Sequence, residues 1–250
     1  MSLHRFFAEG PMPPSGEIPL AEGAVHHLRD VLRLAAGEEI IVVSGGVATR
    51  VRLTEVGERI AGERLEDLPV RGLPRVTLAQ GLAKGDKMDD VVRQATEVGI
   101  SRVVPFAADR SVVRLDAAKA VARTDRWRRV AAEAAQQSQR ADIPQVHDIV
   151  AADALPDVLA GSVVLVCWEE ATGAEGIAEA IARLAPSAGT DVAVVVGPEG
   201  GLTQREVGLL ESAGALTVTL GATVLRTETA GVVASALAVH ARGGLGARRG

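Results

Sequence analysis

The stretch from Asp191 to His240 constrains the fold of this chain more than any other, because it sets an apolar run, a glycine loop and a helix in succession and then does so again. Val192–Val196 is short, β-branched and bounded by Gly197 and Pro198, the pattern of a strand covered on both faces. Gly197, Gly200 and Gly201 allow a sharp turn that offers main-chain N–H groups to a ligand, and Thr203 with Glu206 forms the T-x-x-E capping box of the next helix. Ala215–Leu220 repeats the strand and Gly221 the break; Arg226-Thr227-Glu228-Thr229 then leads into an apolar helix ending near His240. Loops at the C-terminal ends of strands are where open α/β sheets bind ligands. Neither loop carries G-x-G-x-x-G or a Walker A pattern, so dinucleotide and nucleoside-triphosphate binding of the usual kinds are not indicated. Arg226 and Glu228 stand between Val224-Leu225 and Ala230-Gly231-Val232-Val233, where a charge is costly unless paired or used. The two readings of this pair are a helix cap and a reactive site.

At 250 residues, 47% hydrophobic and 24% charged, the chain is long enough for one large domain or two modest ones. Its single cysteine, Cys167, lies in the apolar run Val163–Trp168; that excludes an intramolecular disulfide, reads as strand packing and fits a reducing cytoplasm. Met1–Arg5 leads into a proline-rich segment without an apolar core, so no signal peptide is expected, and no apolar run reaches the length of a membrane span. The net charge of −5 argues against a nucleic-acid partner, yet residues 71–140 hold 14 Lys+Arg against 8 Asp+Glu, a basic middle compatible with a phosphate-binding face. Aromatics make up 2% with no tyrosine, which leaves little for base-stacking platforms. No metal-ligand cluster is evident: the adjacent His26 and His27 point to different faces of their helix.

Taken in order, the first module pairs a helix, Glu22–Leu34, with short strands at Glu39–Val43, Val47–Leu53 and Arg59–Leu65, divided by Gly45-Gly46 and Gly57. A linker falls at Leu68–Pro74. Beyond it come a strand at Arg75–Leu82, a polar turn at Lys84–Lys87, an amphipathic helix Met88–Val98 closing at Gly99, and a strand at Val103–Phe106. A helix over Asp125–Arg140 places Arg126, Arg128 and Arg129 near its start, opposed to the helix dipole, where they are either solvated or set for an anion. Ser162–Trp168, Glu175–Leu184 and Val192–Val196 continue the alternation that defines βαβ units and a parallel sheet. A Gly/Arg tail begins at Arg242.

Several of these stretches together resemble one family, the RsmE-type 16S ribosomal RNA uridine N3-methyltransferases of the SPOUT, or α/β-knot, class. They are His27–Arg33, Lys84–Met88 with Gln94–Gly99, Arg110-Ser111, Trp127, Glu133–Arg140 followed by Pro144, Gly197–Leu202, and Leu220-Gly221 with Leu225–Ala230. They occur in the family's order and span nearly the whole chain. Gln136 stands where the family usually has an acidic residue, and Gln139 where glycine is common. The resemblance implies an α/β protein with a small PUA-like β-barrel for RNA at 1–72 and a trefoil-knotted parallel-sheet SPOUT domain at 73–250. It implies S-adenosylmethionine as cofactor, a homodimer with the site at the subunit interface, and 16S rRNA of the small ribosomal subunit as partner.

The cofactor residues so implied are Val196, Gly197, Pro198, Glu199, Gly200 and Gly201 in the first loop and Leu220, Gly221, Leu225, Arg226, Thr227 and Thr229 around the second. Methyl transfer from a sulfonium needs alignment rather than a metal or covalent intermediate. Uracil N3 is protonated at neutral pH, so Arg226 is expected to stabilise the developing anion while Glu228 or Glu199 orients it or takes the proton. Arg29 and Arg33, then Arg110, Arg126, Arg128 and Arg129, are the expected RNA contacts. Competing readings are a SPOUT enzyme acting on a ribose 2′-OH or a tRNA base, an RNA-binding assembly factor without catalysis, and a plain nucleotide-binding α/β protein.

Overall fold

The computed structural model describes residues 3–70, 72–112, 116–171, 173–185, 187 and 189–246. Arg71 of the expected linker, Arg114 of the basic middle and residues 247–250 of the tail lie outside them. The chain divides into two compact units, residues 1–72 with 135–143, and residues 73–134 with 144–250.

The first unit carries a five-stranded mixed sheet in the order β1 (Arg5–Phe7), β3 (Glu39–Ser44), β4 (Val47–Val56), β5 (Ile60–Leu68), β2 (Ser15–Glu17). β1 runs parallel to β3 and the remaining pairs are antiparallel. The ladder is open, with one antiparallel bridge, Ala8 to Leu20, between the segments that follow β1 and β2. The β3–β4 hairpin turns on Gly45 and Gly46, both with positive φ (56° and 81°), as a two-residue turn matched to strand twist demands. Inward positions Phe6, Ile40, Val42, Val51 and Leu53 form its core with Leu28. The expected helix is shorter than its pattern: α1 (Glu22–His26) passes into a π-helical turn, His27–Val31, and Arg33 sits in the left-handed region at φ 55°. Burying Leu28 completely rewards that departure from regular geometry.

The second unit is built on an all-parallel sheet in the order β12 (Leu216–Val218), β10 (Val163–Cys167), β11 (Val192–Val196), β6 (Val76–Gly81), β7 (Arg102–Ala107), β8 (Gln145–Val146), with β9 (Val150–Ala151) also on β7. Along β11 the side chains alternate between two cores: Val192, Val194 and Val196 pack on one face, Ala193 and Val195 on the other. The first face is covered by α2 (Lys87–Val98), α5 (Ile177–Leu184) and α7 (Thr227–Ala241), joined by Trp127 and Ala131 of α3 (Ala117–Gln137). The second is covered by Leu155 of α4 (Leu155–Val158), Leu159 just beyond it, and Val207 and Leu210 of α6 (Gln204–Ser212). Helices on both faces explain why β10 and β11 are apolar throughout.

α3 begins at Ala117, earlier than its sequence pattern suggests, so Arg126, Arg128 and Arg129 occupy its middle rather than its first turn and the dipole argument for them falls away. Past its end Gln139 takes φ 59°, the left-handed conformation that a glycine at this position would adopt without a Cβ clash. No described helix is long and apolar enough to cross a membrane.

Candidate active site

Three neighbouring strands, β12, β10 and β11, release their chains at the same end of the sheet, and the segments that follow them form one cleft of about 460 Å³. Cys167, Trp168 and Glu169 come from the end of β10, Val196–Glu199 and Gly201 from the loop after β11, and Thr219–Thr227 from the loop after β12. Lys87 at the start of α2 and Ala230 in α7 complete the lining. A parallel sheet places ligand sites at this end because its strands' last main-chain groups leave the ladder together.

Local chemistry holds the loops in place. Thr203 and Glu206 make the reciprocal capping box anticipated from their spacing, and buried Glu206 also accepts a bond from the Asp109 N–H at 2.8 Å. Behind the glycine loop, Gln80 Nε2 donates to Thr227 Oγ1 at 2.9 Å and the Thr227 hydroxyl donates to the Gly197 carbonyl at 2.5 Å. Gly81 lets the loop approach: a Cβ there would stand 2.5 Å from the nitrogen of Pro198. Gly201 adopts φ 69°, and a Cβ on it would meet a Glu169 carboxylate oxygen at 2.3 Å.

Most of the anticipated cofactor residues converge here: Val196, Gly197, Pro198, Glu199, Gly201, Leu220, Gly221, Leu225, Arg226 and Thr227 all line the cleft. Gly200 and Thr229 do not; Gly200 faces Arg110 instead. Arg226 is exposed and Glu228 half-buried, so neither is enclosed as their apolar flanks suggested. Arg226 occupies the N-cap position of α7, but its side chain makes no capping hydrogen bond. Glu228 Oε2 is buried and lies 3.2 Å from Lys87 Nζ, an ion pair whose angles fall short of a hydrogen bond. Glu199 Oε1 accepts from Lys87 Nζ at 3.0 Å and from the Lys84 N–H at 3.1 Å. The hydrogen bond Lys87 donates to Glu199, and then the adjacent Glu228 carboxylate, hold Lys87 above the ordinary lysine range. Sequence reasoning missed Lys87, Trp168 and Glu169; the Lys84–Lys87 turn and the end of the Val163–Trp168 strand were visible, but their meeting with the later loops depends on strand order.

The arginines anticipated for RNA are placed differently from one another. Arg29 is exposed on the π-helical turn and pairs with Asp30 at 2.6 Å, and Arg33 is exposed beside it. The Arg29 guanidinium, ahead of His26, holds the Asp30 carboxyl down at about 2. Arg110 donates to the Gly200 carbonyl at 3.3 Å and the Leu202 carbonyl at 3.5 Å, which staples the glycine loop. Arg126 is engaged by Asp89 and Arg128 by Asp125 and Asp148 at 2.9 Å, whereas Arg129 is exposed with no ion pair among the described residues.

The cleft suits a zwitterion with a sulfonium better than a polyphosphate. Its charged lining is balanced, Lys87 and Arg226 against Glu169 and Glu199, and its walls include Val196, Leu220, Val224 and Leu225. The buried Trp168 Nε1 at its edge lacks a hydrogen-bond partner and is available to a ligand acceptor. No group of three or more His, Cys, Asp or Glu suited to a metal occurs among the described residues.

This fold and cleft define an RNA methyltransferase domain, and the family model of that description matches residues 71–239. The chain is 34% identical over 241 residues to the ribosomal RNA small subunit methyltransferase E of Bacillus subtilis, covering 91% of this chain and 93% of that protein. It is 36% identical over 236 residues to the Mycobacterium tuberculosis protein of the same name, with 89% and 86% covered. The crystal structure of a ribosomal RNA small subunit methyltransferase E from Neisseria gonorrhoeae bound to S-adenosyl methionine is similar at a TM-score of 0.83 and 30% identity, over 94% of this chain and 96% of that one. The chain belongs to the ribosomal RNA small subunit methyltransferase E family.

Proposed function

We propose that the protein methylates N3 of a uridine in 16S ribosomal RNA of the small subunit, using S-adenosylmethionine held in the cleft at the ends of β10, β11 and β12. The observation that carries this reading is the charge-balanced cleft itself, with Lys87 and Glu199 on its wall and Glu228 behind them, ion-paired to Lys87. The main chain of Val196–Glu199, Gly201 and Leu220–Leu225 and the side chain of Thr227 would hold the cofactor, which supplies an electrophilic methyl on its sulfonium. Arg226, exposed on the cleft wall, supplies positive charge to the uracil oxygens as N3 loses its proton, and Glu228 or Glu199 takes that proton.

In this reading residues 1–72 act as a PUA-like barrel for RNA and residues 73–250 as a trefoil-knotted SPOUT domain, working as a cytoplasmic homodimer. The exposed Arg33 and Arg129, without ion pairs among the described residues, are placed to meet phosphates, Arg29 would do so by exchanging Asp30, and Arg110, Arg126 and Arg128 serve the protein's own structure first. Nucleoside analysis of small-subunit RNA from cells lacking the protein tests the reading: 3-methyluridine disappears, and purified protein with S-adenosylmethionine restores it. Loss of a different methylated nucleoside would move the target, and no change at all would leave an RNA-binding role.

A further inference from the structure

Lys87 joins three separate elements at one ammonium group. It begins α2, Glu199 lies in the loop after β11, and Glu228 stands in the first turn of α7, with Nζ 3.0 Å from Glu199 Oε1 and 3.2 Å from Glu228 Oε2. The two carboxylates are unequal. Partial burial works to raise the Glu199 carboxyl, but hydrogen bonds from its own main chain, from Lys87 and from Lys84 outweigh it and hold the group below its ordinary value. A carboxylate stabilised in that way is a weak proton acceptor. Glu228 Oε2 receives no hydrogen bond, although it lies next to the same ammonium. Its tie to Lys87 is the ion pair alone, without the hydrogen bonds that Glu199 accepts.

We propose that Lys87 divides the roles of these carboxylates, fixing Glu199 as an anchor of the glycine loop and leaving Glu228 to take the N3 proton of the substrate uracil. This rests on the uridine-methylation reading above. In the step assigned to Glu228 the N3–H bond breaks, the proton passes to the carboxylate, and the electron pair stays on N3; that pair would take the methyl of the bound sulfonium as its carbon–sulfur bond breaks, the electrons of that bond remaining on sulfur to leave a neutral thioether. Glu228 becomes neutral at that moment, while Lys87 keeps Glu199 as its partner. Glu199 and Lys87 are positioning residues and Glu228 a catalytic one. The other charged groups nearby have different engagements: Asp86 lies 3.7 Å from Arg126, and Arg226 is exposed at the N-cap of α7.

The test combines the pH dependence of methyl transfer with measurements on protein free of RNA. Glu228→Gln is expected to lower kcat roughly 10²–10⁴-fold at neutral pH and to remove the acid limb of the profile. Glu199→Gln is expected to keep that limb and to weaken S-adenosylmethionine binding, read by calorimetry. Carbon-13 NMR of the glutamate carboxyls without RNA should show the Glu199 titration moving to higher pH in Lys87→Met and returning in Lys87→Arg. An acid limb lost in Glu199→Gln but kept in Glu228→Gln, or a Glu199 titration indifferent to Lys87→Met, overturns the assignment. Wild-type protein that methylates uridine while Glu228→Gln matches it rejects this division alone. Wild-type protein that methylates no uridine rejects the underlying reading as well.

Discussion

Gln80 and Thr227, 147 positions apart in sequence, are joined by a hydrogen bond of 2.9 Å, and the Thr227 hydroxyl passes the chain on to the Gly197 carbonyl. The end of β6, the start of α7 and the glycine loop are thereby set relative to one another by two side chains. Thr227→Val preserves shape but leaves a buried amide N–H and a carbonyl without partners. At about 1–3 kcal/mol for each such group, the variant should lose about 2–6 kcal/mol of stability in urea denaturation. Weaker S-adenosylmethionine binding should accompany that loss; unchanged stability and affinity together would show that the chain is not important.

Gly231→Ala offers a separate probe of the same region. The added methyl would fall 2.2 Å from Gln80 Oε1, and that amide, fully buried and bonded to Thr227, has to turn away. Alanine gains about 1 kcal/mol in helix propensity over glycine, whereas overpacking costs about 1–3 kcal/mol. The packing cost should win, and thermal unfolding should show a lower Tm for Gly231→Ala.

Asp89, with a side chain only 12% exposed, accepts from Trp127 Nε1 at 3.1 Å and from Arg126 Nε at 2.7 Å. Asp89→Ala leaves the buried indole N–H unpaired and should cost about 2–3 kcal/mol by urea denaturation. Arg126→Ala, at a side chain 55% exposed, should cost under about 1 kcal/mol. A large fall in RNA affinity on Arg126→Ala, measured across a salt series, would return that arginine to the RNA-contacting group.

Burial pushes the Cys167 thiol up to about 12. At pH 8 the folded protein should therefore react with iodoacetamide roughly a thousandfold more slowly than the unfolded chain, whose thiol ionises near 8.5. Since the folded form holds its proton longer, this group's contribution to stability is full below about pH 8.5 and declines as pH rises toward 12. Cys167 is half-buried on the cleft wall, so rapid alkylation of native protein would show that its thiol ionises more readily than this desolvation allows.

Much of the parallel sheet was legible because its signals are local: β-branched runs such as Val192–Val196, glycine breaks, and the Thr203/Glu206 cap follow from neighbouring residues. Of the motif residues named for the cofactor, those from Val196 to Gly201 and from Leu220 to Thr227 line one cleft apart from Gly200, and Thr229 does not reach it. What sequence did not reveal is long-range. Lys87 reaches Glu199 and Glu228 only because β11 pairs with β6, and nothing in the Lys84–Lys87 turn announces that pairing. The exposure of Arg226 also escaped, since apolar flanks indicate a buried helix face without saying which way its N-cap residue points. The π-helical turn at His27–Val31 was hidden because a helix and a slightly unwound helix share nearly the same apolar spacing.

The strand order has a consequence for how the molecule comes into being. β6 is among the first strands of its unit to leave the ribosome, yet its partner β11 pairs through Val76 with Val192, and the last of the cleft's walls follows β12. Until that distant stretch arrives, β6 has an open edge and no cleft exists. A high contact order of this kind predicts slow refolding, on the millisecond-to-second scale or longer, with the ligand-binding end of the sheet assembled last. The cleft is thus contingent on residues that the nascent chain displays long after the strand they complete.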